Sequence, residues 1–134
     1  MERLTDRAHE KLDTPRWKPL RDLLVPVSKT LLEVSPDAQG DLAGNYIKFA
    51  TGPAPTSPTY AAVWPKVTLP KRLIVGLALP EDFEAAGVGP SPERIFYQGL
   101  TRFLVIEEGQ AVPDELAAWA KQAYKEASLL EGPE

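Results

Sequence analysis

Four short runs rich in aromatic and β-branched residues follow one another in the middle of the chain: Tyr46–Ala50, Tyr60–Trp64, Leu73–Leu79 and Leu100–Ile106. Each is bounded by Gly, Pro or Asp, which is the pattern of strands separated by turns. The connections between them are too short for full crossover helices, so the strands are expected to pair mostly antiparallel. The segment Gly52-Pro53-Ala54-Pro55-Thr56-Ser57-Pro58 must be a loop, because its prolines cannot donate to a sheet ladder. Residues 81–86 suit a short helical turn that Gly87 ends.

Amphipathic stripes flank these runs. Trp17, Leu20, Leu23, Leu24, Val27, Leu31 and Val34 recur at helical spacing after Thr14-Pro15, a favourable helix start, and predict a helix over 14–34 with Pro26 on its solvent side. Leu116, Trp119, Ala120, Ala123, Tyr124 and Ala127 predict a second helix over 113–127, with Asp114 and Glu115 complementing its N-terminal dipole. The expected fold is a two-layer α+β domain. A mostly antiparallel four-stranded sheet carries an N-terminal and a C-terminal helix on one face. One domain spans 1–134, with 1–13 and 129–134 reading as frayed.

The composition excludes several kinds of chemistry. There is no cysteine, hence no disulfide framework and no thiolate. A single histidine, His9, leaves no basis for a histidine metal cluster or a Ser-His-Asp triad. No cofactor, metal or catalytic set is expected. No run approaches the ~20 apolar residues that span a bilayer, and the first residues lack a secretory pattern, so the expected location is the cytoplasm with no membrane partner. Fourteen prolines with one asparagine and one methionine is a combination found in thermally stable proteins.

One string of residues has a wider echo: Tyr46-x-x-Phe49, Tyr60-Ala61-x-Val63-x-Pro65, Lys71-Arg72-Leu73, Thr101, and Val112-x-Asp114-x-Leu116-x-x-Trp119-x-x-x-Ala123-Tyr124. It resembles a group of uncharacterised bacterial α+β domains related to the YdhG-like and YjbR/MmcQ-like proteins, over about residues 16–127. The resemblance implies packing more than chemistry. Its YjbR-like side, likened to double-wing DNA-binding folds, implies nucleic-acid binding as a weaker expectation. The Pro-rich loop after Thr51 and the turn over 65–70 depart from the pattern, so no ligand surface carries over.

Charge is unevenly spread. Residues 42–80 hold Lys48, Lys66, Lys71 and Arg72 and no acid, whereas residues 107–134 hold two bases and seven acids. Bases interleaved with Tyr46, Tyr60 and Trp64 are the composition of a sheet that binds single-stranded nucleic acid. Four positive charges in a chain of pI near 5.1 are few for that role, and lysines also keep sheet edges from aggregating. Arg94 and Arg102, near Tyr97 and Thr101, could instead line a pocket for an anion. The candidate binding residues are therefore Lys48, Trp64, Lys66, Lys71, Arg72, Arg94 and Arg102. Glu107-Glu108 reads as part of a turn with Gly109, because neighbouring strand residues face opposite ways. Gly87-x-Gly89 lacks the remaining residues of a phosphate loop.

The third run is apolar on both faces: Leu73, Val75, Leu77 and Leu79 alternate with Ile74, Gly76 and Ala78. Tyr60, Ala62 and Trp64 extend the second of these faces. A sheet with one wet face should show polar alternation instead. A homodimer through the uncovered face is therefore expected, unless residues 81–99 or 1–13 fold over it. The functional expectation is a non-enzymatic accessory or binding protein that self-associates, with an unknown protein or an anionic ligand as partner. The alternatives are a small enzyme acting on an anionic substrate near Arg94 and Arg102, and, more weakly, a nucleic-acid-binding domain using residues 48–72.

Overall fold

Two-residue and short turns let successive strands pair with their sequence neighbours, and the result is one antiparallel meander. The computed structural model describes residues 4–52, 57–68, 70–92, 95, 97 and 99–129. Its sheet has five strands in the order of the chain: β1 (Gln39–Ala43), β2 (Tyr46–Ala50), β3 (Thr59–Lys66), β4 (Arg72–Leu77) and β5 (Arg102–Glu107). The four expected strands are β2 to β5. The fifth, β1, reads Gln-Gly-Asp-Leu-Ala, with no β-branched or aromatic residue to announce it. It forms because Gly44-Asn45 makes a two-residue turn between the paired Ala43 and Tyr46.

The helices are α1 (Asp6–Leu12), α2 (Arg21–Leu32) and α3 (Leu116–Ser128). The expected helix over 14–34 begins later, after a 3₁₀ turn at Lys18–Leu20. Pro19 has no N–H for a helical bond and disfavours an α conformation at Lys18, which favours a break in the α-helix here, although α2 does run through Pro26. Thr14 does not cap α2; its hydroxyl donates to the Lys11 carbonyl at the end of α1. The stripe itself is as expected: Trp17, Leu20, Leu24, Val27 and Leu31 are buried and Pro26 is exposed. The expected helix over 113–127 starts at Leu116 because Pro113 first closes a turn with the Leu116 N–H. Leu116, Ala120, Ala123 and Ala127 are buried in the same core. Among the described residues, no helix is long and apolar enough to cross a membrane.

Residues 4–12 of the segment expected to be frayed are packed, while residues 1–3 and 130–134 lie outside the described residues. Ala8 and Leu12 of α1 are buried, and Leu4 pairs with Gly40 beside β1. Charge alternation hid this, because only one residue per turn of so short a helix needs to be apolar. The segment is tied down at Asp41, which accepts from the Thr5 hydroxyl (2.6 Å) and from the Arg7 guanidinium (2.8 Å). Burial alone would raise the Asp41 carboxyl, but these bonds, the Arg7 charge and the Leu42 N–H together hold it below the ordinary 3.8. At the other end Leu129 is exposed.

One irregularity sets which aromatic rings face which way. Phe49 pairs with Ala61 but Ala50 pairs with Thr59, leaving Tyr60 as an extra residue in β3. Tyr60 and Trp64, which simple alternation puts on one face, therefore part company. Tyr60 turns to the helices, where its hydroxyl donates to the Leu31 carbonyl and its ring meets Tyr124 edge-on at 5.1 Å. Trp64 turns to the other face and stacks on Tyr46 at 5.0 Å.

Much of that second face is buried within the chain. Ala62, Ile74 and Gly76 are fully or nearly buried, and Trp64 is 6% exposed. Phe103 leans over Gly76 from β5, and the chain returning between β4 and β5 lays Tyr97 against both Tyr46 and Trp64. The Tyr97 hydroxyl meets the Thr59 hydroxyl at 3.0 Å, which fixes this cover to β3. The apolar surface that motivated a homodimer is thus largely covered by the chain's own segment. Residues 81–86, expected to be a helical turn, form open turns instead, with the Phe83 N–H donating to the Pro80 carbonyl.

Two outcomes follow from this packing. Leu24→Ala should cost ~2–5 kcal/mol in denaturant unfolding, the usual range for a buried leucine. Gly76→Ala, whose new Cβ would lie 2.7 Å from a Phe103 ring carbon, should cost ~1–3 kcal/mol by overpacking. At Asp41 the unfolded chain takes up a proton at higher pH than the folded chain. The latch's contribution is complete above the ordinary carboxylate value and lost as pH falls through the depressed one. Unfolding midpoints for Asp41→Asn should therefore fall less between neutral and acid pH than those of the unaltered protein.

Candidate binding groove

The sheet scatters the basic residues that the sequence brings close. Lys66 and Arg72 are paired across β3 and β4, but Lys48 stands opposite Ala62, four residues along β3. That is about 13 Å at the usual strand rise. Arg72 is occupied with its own hairpin, donating to the carbonyls of Thr68 (3.2 Å) and Pro70 (2.7 Å). The Lys71 carbonyl accepts from Glu108, which draws that turn onto the end of β5. Trp64, buried under Tyr97, has no face free for a nucleic-acid base. The basic composition therefore resolves into a turn clamp and separate lysines.

Arg102 lines the wall of a cleft of about 590 Å³ together with Glu81, Asp82 and Glu84. Its Nε is buried and makes no hydrogen bond among the described residues. Arg94 lies outside the described residues. Three carboxylates around one guanidinium repel an anion, so this cleft is poorly suited to the anionic substrate that the arginines suggested.

A different feature emerges from comparing the two sheet edges. The β1 edge is closed. The Gly40 carbonyl accepts from the Thr5 N–H (3.0 Å), the Leu42 carbonyl from Arg7 (3.2 Å), and the Leu42 N–H donates to the Asp41 carboxylate (2.8 Å). Among the described residues, the β5 edge is closed at two places. Phe103 exchanges both backbone bonds with Gly89 (2.9 and 2.8 Å), and Glu107 exchanges bonds with the side chain and backbone of Gln110. Val105 sits between them.

Its backbone orientation follows from the ladder. Residues facing outward alternate along an edge strand. Since Phe103 and Glu107 bond outward, Val105 must present its N–H and C=O outward too. Neither group finds a partner among the described residues. Continuing the Gly89–Phe103 pairing would set Gly87 opposite Val105, but the chain leaves the edge there. A turn closes from the Ala85 carbonyl to the Val88 N–H, and Gly87 takes a left-handed φ of 84° that side chains resist. The helix stop read at Gly87 is in fact the point where the edge ladder is abandoned.

Beside this open rung lies a groove of about 440 Å³, lined by Ala85, Ala86, Gly87, Leu104, Val105, Pro113, Glu115 and Trp119. Val105, a β-branched residue within a strand, is 40% exposed. Trp119, whose ring meets Phe83 edge-on at 6.5 Å, forms the floor of the groove toward α3. The stretches 81–89 and 107–115 on either side carry seven exposed carboxylates and no base. None of the seven is in an ion pair among the described residues.

Reading along the chain did not single out Val105. Its alternation with Phe103 was visible, but its place at a sheet edge was not, since edges depend on strand order. No protein-family model, no curated protein and no solved structure matches this chain. The groove's chemistry therefore rests on its own residues.

The dispersed lysines and buried Trp64 generate one expectation. Single-stranded oligonucleotides should show no binding by fluorescence anisotropy even at low salt, where phosphate contacts are strongest. Binding that Lys66→Glu with Lys71→Glu abolishes would restore the basic hairpin as a nucleic-acid surface.

Proposed function

We propose that this protein is a non-enzymatic binding module that takes up an extended segment of another polypeptide at the edge of β5. The observation that carries this reading is the N–H and C=O of Val105, which have no partner among the described residues and lie between two neighbours whose backbone groups are capped. A strand laid beside Val105 can exchange both bonds with one of its residues, as in an antiparallel hydrogen-bonded pair. Main-chain bonds of this kind supply affinity, and adjoining side-chain pockets supply selectivity. The groove by Trp119 and Pro113 lies where the incoming strand's neighbouring side chains would point. Among the described residues one rung of this edge is open, so the bound segment is short and crosses the edge rather than extending the sheet. An open edge limited in this way also resists runaway strand pairing.

The test is Val105→Pro. The Val105 N–H plays no part in the β4–β5 ladder, so proline is tolerated by the fold as it is on other edge strands. It removes the donor and places its ring where the incoming strand must sit. Peptides of about nine residues selected from a display library on the unaltered protein should bind Val105→Pro at least ~10-fold more weakly, because one bond and the approach are both lost. Val105→Thr, which keeps the N–H, should retain binding. Selected peptides that bind Val105→Pro undiminished would refute the proposal.

A further inference from the structure

The carboxylates around the groove specify the partner's charge. Glu115 lines the groove itself, Asp114 adjoins it, and Glu84 precedes the Ala85 that lines the opposite wall. Glu107 lies two residues beyond Val105 on the same face of β5. Glu81, Asp82 and Glu108 extend the same sign outward. Arg102 stands among Glu81, Asp82 and Glu84, and Arg72 pairs with Glu107, but acids outnumber bases around the groove and the net charge there is negative. A partner desolvating the apolar floor must bring the opposite charge to the rim.

We infer that the segment taken up at β5 is basic: an extended stretch of another protein in which an apolar residue is flanked by lysine or arginine. This rests on the strand-uptake reading above. The long stems of Lys and Arg suit the site, because they can lie along Val105 and the groove wall while their charged ends reach the carboxylates. A second copy of this chain does not fit. Twofold pairing of two β5 edges would set each acidic rim against its own image, a like-charge juxtaposition that opposes association. Phosphate-bearing partners, whether nucleic acid or an anionic lipid surface, meet the same repulsion.

The probes are three labelled peptides of about nine residues, long enough for one strand. One alternates Lys with Val and Thr, one carries Glu in place of Lys, and one carries Gln. The Lys peptide should bind, the Glu peptide should not, and the Gln peptide should bind at least ~10-fold more weakly than the Lys peptide. Combining Glu84→Gln, Asp114→Gln and Glu115→Gln, all at exposed positions, should reduce the preference for the Lys peptide over the Gln peptide by ~10-fold. Raising the salt from ~0.01 to ~1 M, which shortens the Debye length from ~30 to ~3 Å, should have a similar effect.

Equal binding of all three peptides, lost in Val105→Pro, would overturn the charge inference and leave strand uptake standing. Lys-peptide binding that Val105→Pro does not change would overturn strand uptake and reduce the rim to an unspecific acidic surface. No binding of any peptide at ~1 mM, the weakest affinity worth calling recognition, would overturn both. Sedimentation showing a dimer that Val105→Pro dissolves would make a second copy the occupant and overturn the inference.

Discussion

The close approach of Phe103 to Gly76 is the contact on which the outer half of the structure depends. With no Cβ at position 76, the Phe103 ring and the edge of Trp64 can lie directly on the backbone of β4. This flat aromatic layer is what Tyr97 covers, and the chain that carries Tyr97 must enter and leave around the β5 edge. Its entry is the Gly89–Phe103 rung, so the residue that fills the space over Gly76 is also the one that anchors the covering segment. Burial of Tyr46 in this layer, with Tyr97 beside it, raises its phenol above the ordinary value.

The two edges of the sheet then differ in how fully their backbone groups are paired among the described residues. At β1 the backbone is paired by Thr5, by Arg7 and by the neighbouring Asp41, and the N-terminal segment is fixed by the same bonds. At β5 the covering segment pairs once and turns away at Gly87, while Gln110 closes Glu107 from the far side. Unpaired backbone groups that are buried are costly, but at a half-exposed edge water satisfies them until a strand displaces it. The carboxylates of 81–89 and 107–115 keep that edge soluble and bias what can approach it.

Much of this could be read along the chain. The helical stripe from Trp17 to Leu31 is buried as its spacing demanded, as are Leu116, Ala120, Ala123 and Ala127 of the second stripe, while Trp119 and Tyr124 are only half-buried; β2 to β5 lie where aromatic and β-branched runs stood. Where local reading failed, a particular physical effect was stronger. Strand β1 is held by its turn and its partner rather than by propensity. Tyr60 and Trp64 are separated by one extra residue, which reverses the alternation on which a shared outer surface was based. The candidate site was the least legible part. Lys48, Lys66 and Arg72 drew attention through charge, yet Arg72 serves its own turn, and the residue that matters most at the groove, Val105, is chemically unremarked.

The sequence by itself determined which residues are apolar on both sides of β4, and hence that both faces of the sheet had to be covered. That is a local property, because side chains alternate strictly along an extended chain. It also determined the helical stripes and the acidic bias of the flanking stretches. Only the tertiary structure decided what covers the second face, much of which lies under the returning segment with Tyr97. Only the tertiary structure decided which strand ends the sheet and which backbone groups stay open along it. Those are matters of pairing between distant segments. A backbone N–H is the same group in every residue, so its availability at Val105 depends on where Gly89 and Gln110 lie in space and leaves no mark in the order of the residues.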